Sequence, residues 1–256
     1  MIQSVSFIGS GRVATHLAQA LASHVKIQQI YSRQMTNAEQ LAHLVQADAI
    51  TDLAHLNSVD LVIIAVSDAE IPNVAKHLQD VDYQGLVVHT SGSTHLNCLT
   101  QYGLKAGVFY PLQTFSFEHA VEWESTPLFI EAQQISAQQS LLQLAEKISK
   151  RCYQYSSEQR LSLHLAAVFA CNFTNHCYDV AQQILEQKHV DSKLLMPLIL
   201  STAHKLEQTS AYQNQTGPAR RQDQNILNMH QHMLEEQPQW QQIYQLMSES
   251  ILERFK

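Results

Sequence analysis

The chain has 256 residues, 45% hydrophobic and 15% charged, which supplies enough apolar material for a packed interior and excludes a disordered chain. A formal charge of −7 with no block of Lys or Arg argues against a nucleic-acid partner. At this length two domains are a better expectation than one, and seven Gly with six Pro are too few for a loop-rich β-sandwich.

The first 155 residues repeat one phrase, a short apolar β-branched run followed by a turn and a segment of helical period. Strands are predicted at residues 5–8, 27–31, 61–66, 86–89, 107–110 and 128–131. Helices are predicted between them at 13–22, 38–46, 71–78, 96–102 and 137–150. Such alternation requires crossovers, hence a doubly wound, mainly parallel α/β sheet covered on both faces. After Tyr155 the strand runs stop, and helices are predicted at 161–187, 193–207, 223–235 and 240–255, with Pro197 kinking or splitting the second. The expected domains are therefore 1–155, a nucleotide-binding α/β domain, and 156–256, a smaller all-helical one. No internal repeat is visible.

Apolar runs such as residues 61–66 fall far short of the ~20 residues of a membrane span, and residues 1–6 lack a basic leader, so a cytoplasmic chain with no membrane partner is expected. Cys98, Cys152, Cys171 and Cys177 form no C-x-x-C pair, which suits a reducing compartment. His230 and His232, two apart on a helix, face different directions, so no metal site is predicted.

Gly9-Ser10-Gly11-Arg12-Val13-Ala14 follows the first strand and opens a helix, which is the context that gives G-x-G-x-x-A its meaning. Gly9 permits the tight turn, Gly11 lets backbone approach a pyrophosphate, and Ala14 lets helix and strand pack closely. Free N–H groups at the helix start favour the phosphates. NAD sites usually place an acidic residue after the second strand, whereas this chain has Tyr31-Ser32-Arg33. A hydroxyl and a guanidinium there favour a 2′-phosphate, so the predicted cofactor is NADP, with Arg33 ranked above Arg12, which equally reads as a solvated first-turn residue.

Ligands in open α/β sheets lie beyond the carboxyl ends of the strands, which singles out Val66-Ser67-Asp68, Thr90-Ser91-Gly92-Ser93 and Pro111-Leu112-Gln113-Thr114. The competing reading is ordinary capping and turn chemistry. On the helix from Leu161, steps of three and four align His164, Val168, Cys171 and Asn175, with Leu165, Phe169, Asn172 and His176 beside them. His164, Asn172, Asn175 and His176 are the catalytic candidates, with a His as general acid; hydrogen bonding within the helical domain or across a dimer is the alternative. Arg220 and Arg221, after Gly217-Pro218, suit a substrate carboxylate or, equally, a salt bridge to Asp223 or to a neighbouring subunit.

Read together, Gly9 to Ala14, His89-Thr90-Ser91-Gly92-Ser93, Tyr110-Pro111-Leu112-Gln113-Thr114-Phe115, His164 to Phe169 with Asn172 to His176, and Thr216 to Asp223 give the whole chain a resemblance to one known group. It resembles bacterial Rossmann-like NADP oxidoreductases with a C-terminal helical domain of uncharacterised function. More distantly it is similar to pyrroline-5-carboxylate reductase, the deazaflavin-linked NADP reductases and the 6-phosphogluconate dehydrogenase superfamily. The resemblance implies NADP, a cleft between the domains, and a homodimer through the helical domain. Tyr110, Gln113, Arg220 and Arg221 are the candidates for binding a small-molecule substrate. Many relatives carry His where Tyr110 stands and Arg-Gly-Asp where Arg221-Gln222-Asp223 stands. No Lys occurs in residues 161–187, so the Lys and Asn arrangement of the hydroxyacid dehydrogenases does not transfer. The expected activity is NADP(H)-dependent hydride transfer to or from a small carbonyl, imine or hydroxy acid at the interdomain cleft. The alternative is a non-catalytic NADP-binding or regulatory protein of the same fold.

Overall fold

In the computed structural model, which describes all 256 residues, the apolar runs pair into one eight-stranded sheet. Its strands are β1 (Ser4–Ile8), β2 (Lys26–Tyr31), β3 (Asp48–Ile50), β4 (Leu61–Ile64), β5 (Leu86–His89), β6 (Lys105–Pro111), β7 (Leu128–Ala132) and β8 (Cys152–Gln154). Their order is β3-β2-β1-β4-β5-β6-β7-β8. All neighbours are parallel except β6 and β7. The chain leaves β1 towards β2 on one side and returns to β4 on the other, so a crevice opens at the carboxyl end of β1.

Along β4, Leu61 and Ile63 join one core layer while Val62 and Ile64 join the other, as a strand buried on both faces requires. The first layer packs under α1 (Arg12–Ala22), α2 (Met35–Val45) and α5 (Ile135–Ala145). The second packs under α3 (Ile71–Asp80) and the one-turn α4 (Asn97–Thr100). Helix α1 buries Ala14, Leu17, Ala18 and Leu21, a single stripe at steps of three and four. Helix α3 does the same with Ile71, Val74, Ala75 and Leu78, and takes Pro72 in its first turn, where no N–H is needed.

Six predicted strands are present with ends shifted by a residue or two. The unpredicted β3 and β8 have three residues each, too few for a period to show.

The contacts divide the chain into two units, Met1–Phe169 and Ala170–Lys256. Helix α6 (Ser157–Ala167) counts with the first unit because it is anchored there through Ser157 and Arg160, both buried. A capping box between Ser156 and Gln159 starts that helix. The predicted single helix 161–187 is α6, a π-wound stretch Val168–Phe173 and α7 (Thr174–Glu186). The second unit also contains α8 (Met196–His204), α9 (Ala211–Asn214), α10 (Gln224–Met233) and α11 (Pro238–Arg254). Pro197 lies in the first turn of α8, after a short 3-10 turn, which is how the expected break is realised. Only Ala219 and Leu227 among the unit's apolar residues are buried.

Candidate functional site

A cavity of about 610 Å³ lies at the carboxyl ends of β1, β2 and β4. It brings together Gly9, Ser10, Gly11, Arg12, Val13, Ser32, Arg33, Val66, Ser67 and Thr90, all anticipated from the sequence. The volume suits a small-molecule or cofactor pocket.

The two glycines serve different needs. Gly9 has φ +119°, and a Cβ there would strike the carbonyl of Ala65, so only glycine fits. Its N–H donates to the Tyr31 carbonyl at 2.8 Å, which ties the turn to the end of β2. Gly11 caps α1 with φ −80°, and a Cβ there would meet nothing within 4 Å. Nothing in the protein's own packing requires Gly11 to lack a side chain; the cradle is left open on the ligand side, at the N–H end of a helix whose first turn holds no acidic residue. These residues fit a pyrophosphate.

The cavity is also lined by Ser32, half-buried, and Arg33, exposed, with Gln34 and Asn37 from the start of α2. No carboxylate follows β2 there. Arg12 lines the cavity too, but its guanidinium lies 5.8 Å from the centre of the exposed Phe117 ring in the β6–β7 loop. Sequence reasoning missed Gln34, Asn37, Glu70 and Val74 as cavity residues. Glu70 and Val74 are one helical turn apart, so a helix facing the crevice was the available signal.

Three other anticipated cofactor residues point elsewhere. Asp68 accepts a short hydrogen bond from Ser93, joining the loops after β4 and β5. The Ser91 hydroxyl donates to Thr94 Oγ1 at 2.9 Å and accepts from the Ser93 and Thr94 N–H groups at 3.1 and 2.9 Å, so it builds its own turn. Gly92 is where Tyr110 and His164 converge, with Tyr110 Oη and His164 Nδ1 3.3 Å apart.

Arg160, one helical turn before His164, is the residue the sequence hid. Its side chain is 1% exposed and pairs with Glu131 at 2.7 Å. Nε donates to the Ser91 carbonyl at 3.2 Å, Nη2 donates to the Thr94 carbonyl, and both Nη atoms reach Ser157 Oγ. Ser157 in turn donates to Glu131 from its N–H at 3.0 Å and its hydroxyl at 2.8 Å. The N-terminus of α6, the end of β7 and the loop after β5 are thereby one polar lock. Nearby, burial pulls the His89 imidazole down to about 3 and pushes the Tyr110 phenol up to about 12.

Gln113 turns onto its own loop, its amide oxygen accepting from the Thr114 N–H at 2.8 Å. Asn172, Asn175 and His176 are exposed in the single chain. The aligned stripes assumed 3.6 residues per turn throughout, and the wider π-wound stretch breaks that register. Arg220 and Arg221 are exposed; the Arg220 guanidinium lies 4.2 Å from the centre of the Phe255 ring, and Asp223 caps α10 through the Ile226 N–H at 3.3 Å instead of bridging to an Arg.

Residues 4–91 match the family described as NADP oxidoreductase, coenzyme F420-dependent, and residues 126–251 match a domain of unknown function, DUF2520. A provisionally named NADP oxidoreductase from Bacteroides fragilis is 39% identical, with a TM-score of 0.90 over 98% of each chain. A Thermotoga maritima protein is 22% identical over 98% of each chain at a TM-score of 0.71. Pyrroline-5-carboxylate reductase from Coxiella burnetii is 17% identical at a TM-score of 0.60, over 100% of this chain and 98% of its own. These last two share the fold. No curated protein matches the sequence. No helix is long and apolar enough to cross a membrane.

Proposed function

The chain belongs to the family of NADP oxidoreductases that join this nucleotide-type domain to DUF2520, and from that premise we propose that it is an NADP(H)-dependent enzyme acting on a small carbonyl, imine or hydroxy acid. The observation that carries the reading is the cavity over the glycine turn, with Gly11 open to a ligand and Ser32 and Arg33 in the same lining. When bound, the nicotinamide supplies or accepts the hydride. The chain holds the pyrophosphate on the backbone from Ser10 to Val13, and Ser32 and Arg33 hold the 2′-phosphate by charge-assisted hydrogen bonds. Val66, Ser67 and Thr90 line the remainder. Proton exchange falls to the paired Tyr110 and His164, and Gln113, Asn172, Asn175, His176, Arg220 and Arg221 are the next groups to test for substrate contact.

Calorimetry with NADPH and NADH tests this directly. NADPH is expected to bind the more tightly, and Arg33→Ala to weaken it by about 10–100-fold while changing NADH by no more than about threefold. No heat from either nucleotide would overturn the reading. Tight NADPH binding with no turnover across keto acids and cyclic imines would favour a non-catalytic NADP-binding or regulatory protein.

We also propose that the second unit is completed by a second copy of the chain. Leu194, Leu198, Leu200, Met233, Leu246 and Met247 are exposed on it, whereas only Ala219 and Leu227 are buried, and 87 residues do not hold together on so small a core. A reducing cytoplasm suits the four free cysteines of the whole chain.

A further inference from the structure

Tyr110 and His164 meet at a point where the backbone has been cleared for them. A Cβ on Gly92 would lie 2.6 Å from His164 Nδ1 and 2.7 Å from Tyr110 Cζ, so any side chain at position 92 would push the two rings away. Gly92 is two residues beyond Thr90, a wall of the cavity. The pair is also held from behind. Arg160, four residues before His164 on the same face of α6, grips the carbonyls of Ser91 and Thr94 on either side of Gly92. Every nitrogen of that guanidinium is engaged with Glu131, Ser157 or those carbonyls, so Arg160 positions the corner and has no N–H left for a substrate carboxylate.

We propose that Tyr110 is the proton donor of the reaction, with His164 Nδ1–H donating to Tyr110 Oη so that the phenol hydrogen is left for the substrate's carbonyl oxygen or imine nitrogen. This rests on the NADP(H) reading above. In the reductive direction a C–H bond forms at the acceptor carbon with the hydride from NADPH, and the C=O or C=N π pair moves onto the heteroatom. The heteroatom takes the Tyr110 proton. The phenolate takes the Nδ1 proton of His164, and Nε2 takes one from water as Nδ1 gives up its own. NADPH is oxidised, the double bond is reduced and one solvent proton is consumed. Tyr110 is 8% exposed, and burial pushes its phenol up to about 12, so the phenol holds its proton at neutral pH.

The decisive measurement is the tautomer of His164 in the unmodified chain. Long-range proton–nitrogen correlation spectra at pH 8, with His164 identified by the signal lost in His164→Gln, are expected to show its ring proton on Nδ1, with and without NADPH. Tyr110→Phe is expected to shift that signal and to leave NADPH affinity within about twofold. A ring proton on Nε2 would mean that Nδ1 accepts the phenol hydrogen, and the proposal would be overturned. An unshifted His164 signal in Tyr110→Phe would overturn it as well. Calorimetry on the same sample separates the two levels: normal NADPH binding with the wrong tautomer sinks only this inference, whereas no binding sinks the cofactor reading and this with it.

Discussion

The two units of the chain solve burial in opposite ways. The first drives strands such as β4 through its centre with apolar residues on both faces, seals it with helices, and then admits a full ion pair, Arg160 with Glu131, because each polar atom there finds a partner. The second unit is built from helices that bury almost none of their apolar residues. The difference teaches where function has to be sought. In the first unit polar groups are fixed by the fold and can be read as a site, and in the second the apolar surface is itself the unexplained feature.

The largest effect that would break this contrast is at the lock. Arg160→Met leaves the Ser91 and Thr94 carbonyls without the guanidinium, and leaves the Glu131 carboxylate, 18% exposed, with its Ser157 donors but no counter-charge. Breaking a buried pair from one side costs about 3–5 kcal/mol. Denaturant melts of Arg160→Met and the unmodified chain measure it; a loss below about 1 kcal/mol would show that the lock is ornamental.

A smaller effect comes from His89, fully buried, whose Nδ1 accepts from the Ser91 N–H at 3.2 Å while Nε2 has no partner. Its folded value is about 3 against an ordinary 6.5. The unfolded chain therefore binds the proton first, and the stability present above pH 6.5 is lost as pH falls towards 3, by up to ~1.4 kcal/mol per unit. Thermal melts between pH 7 and 4.5 are expected to slope less steeply in His89→Gln than in the unmodified chain.

The smallest expected effect on the fold sharpens the contrast from the other side. Leu198 and Leu246 are 64% and 67% exposed. Charging both, Leu198→Glu with Leu246→Glu, is expected to leave NADPH affinity within about twofold, since both lie outside the unit that carries the cavity. In light scattering the same variant is expected to fall from dimer to monomer. A chain that is monomeric before substitution would refute the second copy.

The strands were readable because β-branched runs bounded by turns survive without tertiary knowledge, and β3 and β8 were not because three residues carry no period. The glycine turn was readable because strand, spacing and helix coincide within a dozen residues. Arg160 and Glu131 were not, since they are 29 positions apart and Ser-Glu-Gln-Arg reads as the solvated start of a helix. His164 was legible by residue type alone, while its partner Tyr110 became one only through a contact spanning 54 positions. Beyond Val168 the helical arithmetic itself misleads, because the backbone changes winding where no Pro or Gly marks it.

The contact of Gly9 with the Ala65 carbonyl has a bearing on how such sites are transplanted. The glycine turn is shaped on one side by its own φ and on the other by the bare main chain leaving β4, more than fifty residues downstream. Moving the six-residue motif into another scaffold would carry half of the mould. The inheritable piece is the pair of neighbouring strand ends, and a graft that brings both should keep its shape where one that copies only the letters would not.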